Sequence, residues 1–163
     1  MKRGTCIMIQ GTLSAVGAFL SAKLGILFPV LLILAGMMVI DWFSGMIASM
    51  VEAIAHPDDK NYGWNSKKGA IGIAKKVGYL FIVAVAMTVD WLVLHVATVI
   101  GVTVTAKALF SLLVAVWYIL NELLSIIENA GRMGVNVPEW LCKYIAVLKR
   151  KIDDQDYGDG TAQ

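Results

Sequence analysis

Residues 71–100 read IGIAKKVGYLFIVAVAMTVDWLVLHVATVI, and after Lys76 the only charged residue before Lys107 is Asp90. A helix crossing the hydrocarbon of a membrane needs about 20 mostly apolar residues, because its backbone amides find no water there and must bond within the helix. This stretch exceeds that requirement and reads as a membrane span over 71–97. Upstream, Asp41 is the only charge between Lys23 and Glu52, which places a second span at 26–51. Pro29 falls in its opening turn, where a missing amide donor matters little. Downstream, an apolar run follows Lys107 and reaches Asn129 or Ala130, giving a third span over 104–130. Gly101 and the β-branched residues around it predict a tight turn over 98–104, so the last two spans form an antiparallel hairpin.

Composition points the same way. The 163 residues are 58% hydrophobic and 16% charged, with a mean hydropathy of +0.72, whereas soluble domains are about 45–50% apolar even with glycine counted. An ordinary soluble enzyme, a disordered tail and a disulfide scaffold are excluded. A net charge of +2 is far from the concentrated basic face that phosphate neutralisation requires, so nucleic acid is not an expected partner. Cys6 and Cys142 lie near opposite ends, without metal-ligand spacing, and read as unpaired thiols. There is no Gly-x-Ser-x-Gly elbow, His-Glu-x-x-His helix or Cys-x-x-Cys pair, and Gly72-Ile73-Ala74-Lys75 lacks the ending of a phosphate loop. Neither enzymatic activity, a metal nor a cofactor is expected.

The N-terminal segment, 1–25, is apolar but diluted. Gln10, Ser14, Gly17 and Ser21 recur at helical spacing, leaving Ile7, Leu13, Phe19 and Leu20 elsewhere on the helix. A signal peptide is the competing reading, with Lys2-Arg3 at its start and Leu20-Ser21-Ala22 as cleavage site, but Gln10 interrupts the apolar stretch such a signal needs. The expected fold is therefore an all-α integral membrane protein: three transmembrane helices plus an N-terminal amphipathic or fourth membrane helix. Lys60, Lys67, Lys68, Lys75 and Lys76 mark the segment around the 52–70 loop as cytoplasmic. Two further crossings return the charged 131–163 tail, with Arg132, Lys143, Lys149, Arg150 and Lys151, to the same side of the membrane. Lys149-Arg150-Lys151 reads either as an ordinary cytoplasmic anchor or as a contact to anionic lipid.

An ionised side chain at the bilayer centre costs roughly 2.5 to 3.5 kcal/mol on insertion scales, so Asp41, Asp90 and Glu122 are expected to face protein or water. Met37, Asp41, Ser44, Gly45, Ala48 and Glu52 form one stripe, and Ser111, Ala115, Tyr118, Glu122, Ser125 and Asn129 another. These stripes, with Asp90, are candidate pore-lining or oligomer-interface residues. Hydrogen-bond glue inside a closed bundle is the alternative, weighed evenly for Asp41 and Asp90. For Glu122, near the cytoplasmic boundary, solvation at headgroup level is the expectation. His95 stands roughly 140° around the helix from Asp90 and forms no relay with it.

Several residues carry a family resemblance: Ile40-Asp41-Trp42-Phe43-Ser44-Gly45, Ser66-Lys67-Lys68-Gly69, Gly72-Ile73-Ala74-Lys75-Lys76, Asp90, then Asn121-Glu122-Leu123-Leu124-Ser125-Ile126-Ile127-Glu128-Asn129, followed by Gly134 and Pro138. In this order they resemble phage holins, more narrowly the toxin-secretion and phage-lysis holins of Gram-positive bacteria and their phages, over about residues 26–145. The motif residues carried over are Asp41, Gly45, Ser66, Lys67, Gly72, Lys75, Asn121, Glu122, Ser125, Glu128 and Asn129. The resemblance implies a protein that self-associates in the lipid bilayer of the host's cytoplasmic membrane and opens a lesion. An endolysin is its functional partner, without direct binding. The polar loop and the acidic end, Asp153, Asp154, Asp156 and Asp159, depart from the pattern. Competing roles are a small-ion channel or transport subunit using Asp41 and Asp90, a toxin-export holin, and an antiholin regulator.

Overall fold

The computed structural model describes residues 2–58, 63 and 65–157. Lys60 of the polar loop, Asp159 of the acidic end and Trp64 lie outside the described residues. The described chain is all α-helical: α1 Lys2–Leu24, α2 Leu27–Ala55, α3 Ser66–Val99, α4 Leu109–Arg132 and α5 Glu139–Tyr157. Among the described residues three stretches are long and apolar enough to cross a membrane, Leu27–Ala55, Gly69–Val99 and Leu109–Arg132. The all-α fold with three membrane-length helices is thus the one the charge gaps indicate, and a helix also forms in the N-terminal segment as expected.

Helix ends follow local chemistry. Asn65 caps α3, its side chain accepting from the Lys67 amide at 2.9 Å, as short polar residues do at helix starts. At the far end the chain leaves α3 through Gly101, whose φ of +76° suits glycine. There the Val102 amide donates to the Ala97 carbonyl at 2.8 Å, closing the last turn in the Schellman manner. The connection runs over residues 100–108 and is longer than a tight turn. α4 begins at Leu109, not near 104, and its start is set by a contact from α3 described below.

α4 is the hub. It packs against α2, α3 and α5, whereas α2 and α3 touch each other sparingly and, among the described helices, α1 touches α2 alone. Leu34, Met38, Val83, Ala115 and Tyr118 form the buried core where the three spans meet. The Tyr79 and Tyr118 rings stack there with centroids 4.1 Å apart, and aromatic pairs of this kind add about 0.5–1.5 kcal/mol beyond area burial. Outward faces carry exposed Phe43, Ile47, Phe81, Val85 and Trp91, the surface expected against lipid tails. On α1, Gln10, Ser14 and Ser21 are exposed. The tail, expected only as charged, contains a further helix, α5, which buries Ile145 and packs on α4.

Candidate functional site

The polar residues of the spans gather into two clusters, one at each end of the apolar core. The first starts from Asp90, 7% exposed on α3. The residue preceding α4, Ala108, has no side chain able to cap it. Asp90 supplies the cap from the neighbouring helix: its carboxylate accepts from the Phe110 amide at 2.9 Å, the Ser111 amide at 2.8 Å and the Ser111 hydroxyl at 2.5 Å. The same charge lies against the positive end of the α4 dipole, which favours it further. Asp90 therefore joins α3 to α4 at a fixed height. His95 takes no part and stacks on Trp91, centroids 5.2 Å apart.

The second cluster is a seam along the other half of the bundle. Lys76 reaches from α3 between two carboxylates, donating from Nζ to Asp41 Oδ2 of α2 at 2.8 Å and to Glu122 Oε2 of α4. Asn129 Nδ2 donates to Asp41 Oδ1 at 3.1 Å and to Ser44 Oγ at 3.0 Å. Arg132 Nη1 donates to Asn129 Oδ1 at 3.0 Å. The same guanidinium grips Glu52 through Nε at 2.8 Å and Nη2 at 2.7 Å, a fork geometry that arginine is built to make. The sequence Glu122, Lys76, Asp41, Asn129, Arg132, Glu52 is thus one connected network linking all three spans.

Glycine makes room for it. A Cβ on Gly45 would lie 3.4 Å from Asn129 Nδ2, so α2 and α4 approach closely where the amide bonds. Because α2 and α3 part beside the seam, an open-sided cleft of ≈ 290 Å³ lies between them, lined by Asp41, Gly45, Ser49, Gly72, Lys76 and Arg132 among others. Ser49 itself is tied to its own helix, donating to the Gly45 carbonyl at 2.9 Å.

The structure brings Asp41, Ser44, Gly45, Glu122 and Asn129 together, with Ser125 at the cleft. Ala48 and Ser111 are buried, and Tyr118 belongs to the core stack. Ser66, Lys67, Lys75 and Glu128 are exposed, while Asn121 and Gly72 are half-buried. Glu122 corrects the expectation of headgroup solvation: only 3% exposed, it is held by Lys76. The ion pair offsets part of the desolvation cost of burying it there.

Sequence reasoning takes Lys76 as a loop cation and part of the Gly72–Lys76 stretch and Arg132 as a tail cation, and misses both as partners of the buried polar groups. The signal was present. On α3, Lys76, Tyr79, Val83, Ala86 and Asp90 recur at helical spacing, so Lys76 continues the buried stripe while Lys75 falls a residue off it. Arg132 likewise extends the stripe through Glu122, Ser125 and Asn129. Among the described residues no group of His, Cys, Asp and Glu is placed to hold a metal ion.

Comparison with known proteins places the chain in a family. The chain is 38% identical over 137 residues to an uncharacterised protein of Halalkalibacterium halodurans, covering 84% of this chain and 88% of that protein. It is 32% identical over 142 residues to one of Listeria innocua, covering 87% and 85% respectively. A Listeria monocytogenes protein is 32% identical over 124 residues, 76% of this chain and 74% of its own. No solved structure matches the chain. The family model described as the bacteriophage holin family matches residues 18–150, a stretch that takes in both polar clusters and all three spans, and the chain belongs to that family.

Proposed function

We propose that this protein is a lytic holin that self-associates in the bacterial cytoplasmic membrane and opens a lesion through which an endolysin reaches the cell wall. The observation that carries the reading, beside family membership, is Lys76 shared between Asp41 and Glu122. In a single closed bundle the hydrophilic groups of three spans satisfy one another, so a chain can accumulate in the membrane without leaking. The same groups, separated from one another when copies assemble, would supply a wettable wall. Asp41, Ser44, Gly45, Ala48, Ser125 and Asn129 would then contribute to the lumen or to the contact between copies, and Asp90, Ser111, Tyr118 and Glu122 would hold the closed form. In this reading the loop preceding α3 and the segment from Arg132 onward are cytoplasmic, matching the excess of Lys and Arg. Endolysin passes through the lesion without binding the holin. Export of a toxin would use the same opening with a different cargo.

The test is induction in bacteria, with and without a co-expressed endolysin that lacks its own export signal. Lysis that requires both proteins, with escape of a folded cytosolic reporter, is the expected result. Ionic current without reporter escape would replace this reading with a small-ion channel. Silence alone, combined with delay of a separate holin, would replace it with a regulator.

A further inference from the structure

The two exposed sides of α5 differ from each other, and one of them is apolar. Leu141, Cys142, Ile145 and Leu148 form the face turned to α4, with Ile145 buried and the others half-buried. Away from that face, Trp140, Tyr144 and Val147 recur at i, i+4 and i+7, a single stripe by helical geometry. They are 69%, 62% and 52% exposed. Lys143 and Arg150, both exposed, stand along one edge of the stripe. Lys143 pairs with Glu139 at 3.1 Å, but both partners are largely in solvent, where such a pair leaves the cation able to meet another anion.

Placement narrows the occupant. α4 is a membrane-spanning helix that ends at Arg132, and only residues 133–138 separate it from α5. That link is at most roughly 20 Å of extended chain, and packing on α4 holds α5 closer still. An aromatic and apolar stripe bordered by basic residues, tethered this near the end of a span, has the composition of a helix lying in the headgroup layer. We propose that α5 is an interfacial helix whose Trp140, Tyr144 and Val147 stripe beds into the anionic lipid surface at the membrane face where α4 ends. Lys143 and Arg150 meet the phosphates, and Trp140 and Tyr144 sit where an apolar ring with a polar edge is best accommodated. Anchored so, α5 couples the lipid surface to α4, the helix that carries Glu122, Asn129 and Arg132.

The experiment uses the full chain with Cys6→Ser and Cys142→Ser, reconstituted in vesicles of phosphatidylcholine with or without phosphatidylglycerol. An environment-sensitive fluorophore is attached at Tyr144→Cys on the stripe or at Ala146→Cys, which is exposed but off it. Spin-labelled lipids then report depth. The expected result is blue-shifted emission at position 144, quenched several-fold more by shallow than by deep spin labels and more strongly with phosphatidylglycerol, while position 146 stays water-like. Lys143→Glu with Arg150→Glu should reduce the quenching at 144. Equal, weak quenching at both positions would overturn the proposal. So would a signal at 144 that follows protein density and ignores lipid charge, since a second copy of the chain would then be the occupant.

Discussion

Asp90 and Lys76 show how differently two intramembrane charges are made tolerable. Asp90 is held by amides and a hydroxyl of one helix end, so its partners are dipoles and no counter-ion is involved. Asp90→Ala should cost about 0.5–2 kcal/mol, the usual loss on removing a helix cap. Asp90→Asn, which keeps one acceptor oxygen, should lose less. Hydrogen exchange at the first turn of α4 in detergent would check this, and unchanged protection in Asp90→Ala would refute the capping role. Lys76 is a counter-ion to two carboxylates. Removing it in Lys76→Met strands both, and breaking a buried pair in this way costs about 3–5 kcal/mol. Neutralising the carboxylates as well, with Asp41→Asn and Glu122→Gln, should recover most of that loss in thermal unfolding. A single Lys76→Met variant as stable as the parent would show that water, not Lys76, solvates the carboxylates.

Among the helices, α4 organises the rest, and it approaches α2 closely at Gly45 and Asn129. Gly45→Ala puts a methyl at ordinary contact distance and replaces a poor helix former, so it should be neutral or gain up to about 1 kcal/mol. Gly45→Leu has no such space and should cost about 1–3 kcal/mol by overpacking, displacing Asn129 from Asp41 and Ser44. Thermal unfolding of both variants decides the matter, and two equal values would mean that the helices do not meet there. The elements were legible because a charge gap survives any error in boundary: Asp90 alone between Lys76 and Lys107 can only be a span. The stripes through Asp41 and Glu122 were legible too, because helical spacing is local. Which stripe meets which, and at what height, is a property of packing between helices. Without that register Lys76 looks like one more loop lysine, and Glu122 looks close enough to water to need no partner. α5 was hidden for another reason: its mixed charges read as a tail, and its apolar residues acquire meaning only once α4 is seen beneath them.

For the molecule as a whole, the proposed lytic role raises the question whether the closed bundle and the lesion are the same arrangement. The apolar core of Leu34, Met38, Val83, Ala115 and Tyr118 separates the Asp90 cluster from the Lys76 seam, so among the described residues no continuous polar path runs through one chain. Lesions formed by intact bundles would have to be lined by their outward faces, which are apolar. Lesions lined by the seam would require α2 and α3 to part, and apart from the Lys76–Asp41 ion pair the contact between these two helices, beside the cleft, is sparse. Ala115, fully buried at 0% exposure on α4, reports on it. An Ala115→Cys variant, with Cys6→Ser and Cys142→Ser, adds little volume and should be inert to a charged, membrane-impermeant thiol reagent before lysis begins. Labelling should rise with the onset of lysis, in step with escape of a cytosolic reporter. In the Lys76→Met, Asp41→Asn, Glu122→Gln background the tie between α2 and α3 loses its charges, so the onset should shift while membrane insertion remains. Lysis on schedule with the thiol at position 115 still protected would mean that the bundle stays shut throughout and that copies open the membrane with surfaces other than the seam.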